Sequence, residues 1–141
     1  MTIRVLALDL ERTLVSDAGR ADPRPDLAEF LAFCRERFDR VALFTTVEEP
    51  DARAALDDLV RRGHVPEELV AGLEYVPWCG EHKNLEFVAG AKPEEVLLVD
   101  DDAGWIHPSQ RTQWVAIAPW DGGPDGEFRR VQQLLTARLD A

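Results

Sequence analysis

The chain has only two cysteines, Cys34 and Cys79. That excludes a disulfide framework and makes a reducing, cytoplasmic setting the expectation. No apolar run is long enough to cross a bilayer. The amino terminus has no charged segment leading into a long apolar stretch and a cleavage site, so no secretory signal is visible. Basic residues are in deficit, 16 against 27 acidic ones, for a net charge of −11 over 141 residues. General attraction to nucleic acid or to an anionic membrane requires a basic face, so neither is expected as a partner. A G-x-G-x-x-G after a strand is missing, as is G-x-x-x-x-G-K-[ST], which removes the two glycine-rich phosphate loops. There is no internal repeat, low-complexity tract or linker.

What remains is the composition of a globular domain, 45% hydrophobic and 30% charged, long enough to bury a core as one unit spanning residues 1–141. Ile3 to Leu8 reads as a buried strand. Apolar residues at Leu27, Phe30, Leu31, Cys34 and Phe38 follow with helical period, and Pro25 suits the start of that helix. Val41 to Phe44 is a second strand. Pro50 opens a helix with Ala54, Ala55, Leu56, Leu59 and Val60 as its stripe, stopped at Gly63. Pro66 to Val70 fits one helical turn, Leu73 to Val76 an edge strand, and Asn84 to Val88 is ambiguous. Val96 to Val99 and Trp114 to Ile117 are further strands, residues 121–126 a glycine-rich loop, and Phe128 to Leu139 an amphipathic helix. Alternating strands and helices imply a mostly parallel sheet with helices on both faces, a three-layer Rossmann-like α/β core.

Three of these strands end in reactive side chains: Asp9 and Glu11 after the first, Thr45 and Thr46 after the second, Asp100 and Asp101 after the Val96 strand. In a parallel sheet those ends share one edge, where open α/β sheets bind ligands. Two close carboxylates repel, and a hard divalent cation relieves the repulsion; an acidic turn without a ligand is the plainer alternative for Asp9 and Glu11. With Lys83 between the second and third sets, the order is carboxylates, hydroxyl, lysine, carboxylates. This is a set able to transfer a phosphoryl group: a carboxylate to attack, a hydroxyl and an ammonium to hold equatorial oxygens, and acids to hold Mg²⁺.

In these motifs the sequence resembles the haloacid dehalogenase superfamily, and more narrowly its NLI-interacting-factor or small C-terminal-domain-phosphatase branch. The residues behind the narrower likeness are Arg24-Pro25 with Glu29-Phe30-Leu31, Leu43-Phe44-Thr45, Lys83-Asn84-Leu85, Val99-Asp100-Asp101, His107-Pro108 and Trp120. The resemblance implies a Mg²⁺-dependent phosphomonoester hydrolase working through an aspartyl phosphate. Asp9 would be nucleophile and metal ligand. Glu11, standing where the family usually has a second aspartate, would be acid and base and would offer its carbonyl to the metal. Thr45 and Lys83 would bind the phosphoryl group, Asp101 would complete the metal site, and Asp100 would steady Lys83 or the metal's waters, with these two roles open by one place along Asp100-Asp101-Asp102. Thr46 and Arg12 are candidate substrate contacts, Arg12 reaching toward substrate or only toward solvent. The 16–23 loop is too short for a cap domain, so an open site is expected, suited to a phosphoprotein or another large phosphorylated substrate, with the phosphorylated partner open between a small molecule and a protein. The substrate itself and the oligomeric state are not readable.

A phosphoacceptor receiver domain uses similar residues but places its acidic pair first, the reverse of the order here. The rival from another class is a binding protein of the same fold with weak or no turnover, favoured by glutamate at position 11.

Overall fold

The computed structural model describes residues 2–141. Its elements run β1 (Val5–Leu8), α1 (Leu27–Arg37), β2 (Arg40–Leu43), α2 (Glu49–Arg61), α3 (Glu67–Ala71), β3 (Glu74–Tyr75), β4 (Val96–Asp100), β5 (Trp114–Ala116) and α4 (Glu127–Leu139). The five strands form one sheet in the order β3-β2-β1-β4-β5, and every pairing is parallel. The sheet is thus wholly parallel where the sequence suggested mostly parallel. β1 lies at its centre, with Leu6 opposite Val41 on one side and Leu97 on the other. All four of its residues are buried, as a strand covered on both faces must be.

Alternation along the strands divides the core in two. Leu6, Leu8, Val41, Leu43, Leu97 and Val99 face the buried stripes of all four α-helices. Val5, Ala7, Ala42, Phe44, Val96 and Leu98 face the other way, against Leu85, Val88 and Ile106. Helical cover is present on both faces but differs in kind, because the second face is roofed by short 3₁₀ turns such as Leu85–Phe87 and Ala103–Trp105. The ambiguous 84–88 stretch is one of these turns. Its apolar residues are too few to build a longer helix, and the Asn84 side chain caps it by accepting from the Glu86 amide at 2.9 Å.

Chain direction explains the asymmetry. From β1 the chain moves outward through β2 to β3, then returns across the sheet to β4 and β5. Right-handed crossovers put the outward connections on one face and the return connections on the other. The reversal falls between β1 and β4, and that switch point at the carboxyl ends of the strands is where such sheets open a crevice. α4 then returns to the first face, where Phe128 stacks on Phe30 of α1 at 4.1 Å between ring centroids. The 16–26 segment forms only turns and isolated bridges, and no cap is inserted among the described residues.

Candidate active site

Asp9 is the first residue beyond β1, and its amide donates to the Val99 carbonyl of β4 at 3.0 Å. Its backbone is therefore an extension of the sheet at the switch point, which fixes where the carboxylate starts. Asp100 is the last residue of β4, with Asp101 just beyond. Thr45 follows Phe44, whose amide donates to the Leu8 carbonyl at 2.8 Å. Three strand ends thus deliver their side chains to one edge.

Lys83 arrives from the return connection. Its amide donates to the Trp105 carbonyl at 2.7 Å, and its side chain runs inward until it is 1% exposed. The ammonium donates to Asp9 Oδ1 at 2.9 Å and to Asp100 Oδ2 at 2.5 Å. Asp100 Oδ1 accepts from the Asp102 amide at 2.9 Å, so both oxygens of Asp100 are engaged. Asp101 lies farther out, half-buried. One oxygen each of Asp9, Asp100 and Asp101 can be chosen so that all lie within 4.8 Å of one another. Oxygen donors alone, with no nitrogen or sulfur among them, suit a hard cation such as Mg²⁺.

The electrostatics point the same way. Burial pushes the Asp9 carboxyl up to about 8, with Lys83 pulling it down and Asp100 adding to the rise. Asp100 is raised by the same burial against the pull of Lys83. Burial works to strip the proton from Lys83, but Asp9 and Asp100 outweigh it and keep the ammonium charged. One buried cation cannot compensate three crowded carboxylates, so the cluster retains a proton or gains positive charge from outside.

Thr45 is buried, and its hydroxyl oxygen accepts from the Val47 amide at 3.1 Å. Its proton is left to donate elsewhere. Thr46 is exposed and shares a cleft with Thr45. Glu11 is placed differently from the other acids: its carboxylate accepts from the Ala18 amide at 2.7 Å and so ties the 16–18 turn to the loop after β1, residues 9–15. Its side chain is outside the carboxylate cluster. Asp102 caps the next 3₁₀ turn by accepting from the Gly104 amide at 2.8 Å. His107 likewise accepts from the Ser109 amide, a loop-shaping role.

Two residues outside the expected set belong to this geometry. Thr13 is fully buried, and its hydroxyl donates to Asp9 Oδ2 at 2.9 Å while lying 3.4 Å from Asp101 Oδ1. A hydroxyl has one proton, and the shorter contact assigns it to Asp9. With Lys83 on the other oxygen, Asp9 is held at both ends. The second is Arg24, whose side chain is 0% exposed. Its Nη1 donates to the carbonyls of Arg12 at 3.1 Å and Thr13 at 3.2 Å, and its Nη2 to that of Ala118 at 2.7 Å. Nε and Nη2 fork onto Asp125 at 2.8 and 3.1 Å. The hydroxyl four places after Asp9 was the available signal for Thr13; for Arg24 it was an arginine beside Pro25, ahead of an apolar helix.

Arg12 itself adopts a left-handed backbone, φ 62°, which a side chain with a Cβ rarely takes. Its amide donates to Val15 at 2.7 Å, and its carbonyl accepts from Trp120 at 2.9 Å as well as from Arg24. Those bonds hold the conformation against its cost of about 1–3 kcal/mol. The side chain is exposed and lines an open cleft of about 400 Å³ with Asp101 and Trp120.

A parallel sheet with a buried aspartate at its switch point, a buried lysine between two acids and no cap is the core of a haloacid dehalogenase-type protein. Comparison narrows this: residues 4–140 match the NLI interacting factor-like phosphatases, and the chain belongs to that family. Among solved structures, one crystal structure aligns over 99% of this chain and 84% of its own, with a TM-score of 0.56 and 14% sequence identity, a likeness of fold. No curated protein matches the sequence.

Proposed function

We propose that the protein is a Mg²⁺-dependent phosphomonoester hydrolase that acts through an aspartyl phosphate on Asp9. The observation that carries this reading is the Asp9 carboxylate, gripped by Lys83 on one oxygen and Thr13 on the other. Such a grip is what a nucleophile needs to be aimed rather than merely stored. An oxygen of Asp9 attacks phosphorus, the bond to the ester oxygen breaks, and that oxygen leaves as the alcohol after taking a proton. Water then attacks the aspartyl phosphate, releasing inorganic phosphate and restoring the carboxylate. Lys83 and the free proton of Thr45 hold the transferring oxygens, and Arg12 and Thr46 meet the rest of the substrate. Asp9 and Asp101, with the Glu11 carbonyl, would hold Mg²⁺, while Asp100 keeps Lys83 in position. The ion supplies charge neutralisation at the phosphoryl group.

The proton falls to Glu11. A general acid must come within about 2.6–3.2 Å of the atom it protonates, and the oxygen bonded to the Ala18 amide is not free to do so. The role therefore needs that bond released, or the other carboxylate oxygen used. The same bond favours a second reading, a binding protein of this fold with slow turnover. Hydrolysis of p-nitrophenyl phosphate separates the two. Turnover that requires Mg²⁺, stops with chelator and disappears in Asp9→Asn is expected; a folded protein with no turnover on this or other phosphomonoesters would favour the binding reading.

A further inference from the structure

A second cleft, of about 310 Å³, shares Thr45 with the phosphoryl site. Two of its walls are indoles in an edge-to-face arrangement, Trp78 and Trp105, 5.8 Å apart between centroids and inclined at 78°. Each is tied to a residue assigned above to the phosphoryl oxygens. Trp78 Nε1 donates to the Thr45 carbonyl at 2.7 Å, and the Trp105 carbonyl accepts from the Lys83 amide at 2.7 Å. Neither indole is fully buried, so part of each is open to solvent. Tyr75 and Glu48 also line it, with Thr46, Cys79 and Gly80 and no lysine, arginine or histidine among the lining residues. Tyr75 is anchored through its hydroxyl, which donates to the Val47 carbonyl at 2.6 Å. Burial raises its phenol first, and the nearby Glu49 and Glu48 carboxylates raise it further, so negative potential reaches this wall.

Perpendicular aromatic faces beside a carboxylate attract a cation through the negative potential of the rings and the charge of the acid. A second phosphate would be repelled here, and a purely apolar group would gain nothing from Glu48. We propose that this cleft takes a cationic head, making the preferred substrate a small phosphomonoester that carries an ammonium or quaternary ammonium group. This rests on the phosphatase reading for the phosphate end. The cleft's size suits a single head group rather than a length of peptide.

The test compares phosphocholine with 3,3-dimethylbutyl phosphate, in which a tert-butyl group replaces the trimethylammonium at nearly the same shape. Calorimetric titration in Mg²⁺ of the whole protein carrying Asp9→Asn, which stops turnover and leaves the cleft intact, is expected to show phosphocholine binding about tenfold more tightly, from the range of cation–aromatic attraction. Glu48→Gln, at an exposed position, and Trp105→Leu should each shrink that ratio. Equal or weaker binding of phosphocholine by the Asp9→Asn protein with its cleft otherwise unchanged would overturn the proposal. So would tighter binding of a phosphoserine peptide with an adjacent lysine, which would move the cation site to a protein substrate. The ratio of kcat/KM for the two esters is expected to follow the binding ratio. If neither these nor p-nitrophenyl phosphate is hydrolysed, the hydrolase reading fails while the titration still decides the cleft.

Discussion

Arg24 is the residue whose removal should tell most about how this site is held together. Its guanidinium is completely buried and meets Asp125, itself only 14% exposed, through two hydrogen bonds of 2.8 and 3.1 Å. Three further bonds go to the carbonyls of Arg12, Thr13 and Ala118, and the Phe128 ring lies 5.4 Å from its central carbon. The loop after β1, the segment after β5 and the start of α4 are thus joined at one side chain. Arg24→Met preserves much of the volume but leaves the Asp125 charge without its partner and three carbonyls without this donor. Breaking a buried ion pair on one side costs about 3–5 kcal/mol. A domain of this size has a total stability of about 5–15 kcal/mol, so the variant should be strongly destabilised yet still foldable in the cold. Adding Asp125→Leu removes the stranded charge and should restore part of the loss. It cannot restore the carbonyl bonds, so the double variant should remain below the unaltered protein. Arg24→Lys should not rescue, because one ammonium cannot span the fork and the carbonyls together. Urea denaturation, in chelator, of the unaltered protein, Arg24→Met, Asp125→Leu and the double variant gives the cycle directly. A loss below about 1 kcal/mol in Arg24→Met would refute the reasoning, since it would mean that loop, β5 end and α4 hold their places unaided.

Other outcomes follow from the same geometry. Thr13→Val keeps the shape of the side chain but frees Asp9 Oδ2; losing such a buried hydrogen bond is worth about 1–3 kcal/mol, so kcat should fall by about five- to 150-fold in steady-state assays, and an unchanged kcat would show that Thr13 does not aim Asp9. Glu11→Asp shortens the acid by about 1.5 Å and should lower turnover if the pocket suits glutamate; a gain in rate would show that it does not. Glu127 accepts from Arg130 and from the Ala118 amide, and these bonds, Arg130 foremost, hold its carboxyl down at about 2 against an ordinary 4.5. A lowered carboxylate stabilises the fold above its unfolded value and loses that contribution as pH falls through the folded one. Glu127→Gln should therefore cost stability at neutral pH, under about 1 kcal/mol after solvent screening, with the difference vanishing in melts run toward pH 2.

The sheet was legible because its strands are apolar on both faces, a pattern that only a covered parallel sheet requires. β3 was legible only as a neighbourhood, since two residues carry no period. The uneven cover was not legible: right-handed crossovers predict which face each connection takes, but 3₁₀ turns such as 85–87 and 103–105 have no stripe to announce them. Within the site, Asp9, Lys83, Asp100 and Asp101 could be listed from their order along the chain. Their contacts could not, because the return connection that carries Lys83 inward is irregular. Thr13 was visible as a hydroxyl and invisible as a partner of Asp9, since its role depends on the turn that the Arg12 backbone makes. Arg24 was hidden for a more general reason. An arginine read in sequence is presumed solvated, and only Asp125, 101 residues away, makes its burial tolerable.

The charge balance of the cluster ties the fold to the chemistry. Asp9, Asp100 and Asp101 with Lys83 leave two negative charges uncompensated when all are ionised, in a protein already at −11. A phosphomonoester arriving as a dianion would meet that excess at the bottom of a crevice. Lys83 cannot resolve the conflict alone, because both neighbouring carboxylates already claim its ammonium. The arrangement makes chemical sense if Lys83 and Asp100 act as a fixed unit that positions one side of Asp9. Asp101, the least buried of the three acids, then faces outward to take a divalent cation. Thr13 completes the frame by fixing the oxygen of Asp9 that Lys83 does not reach.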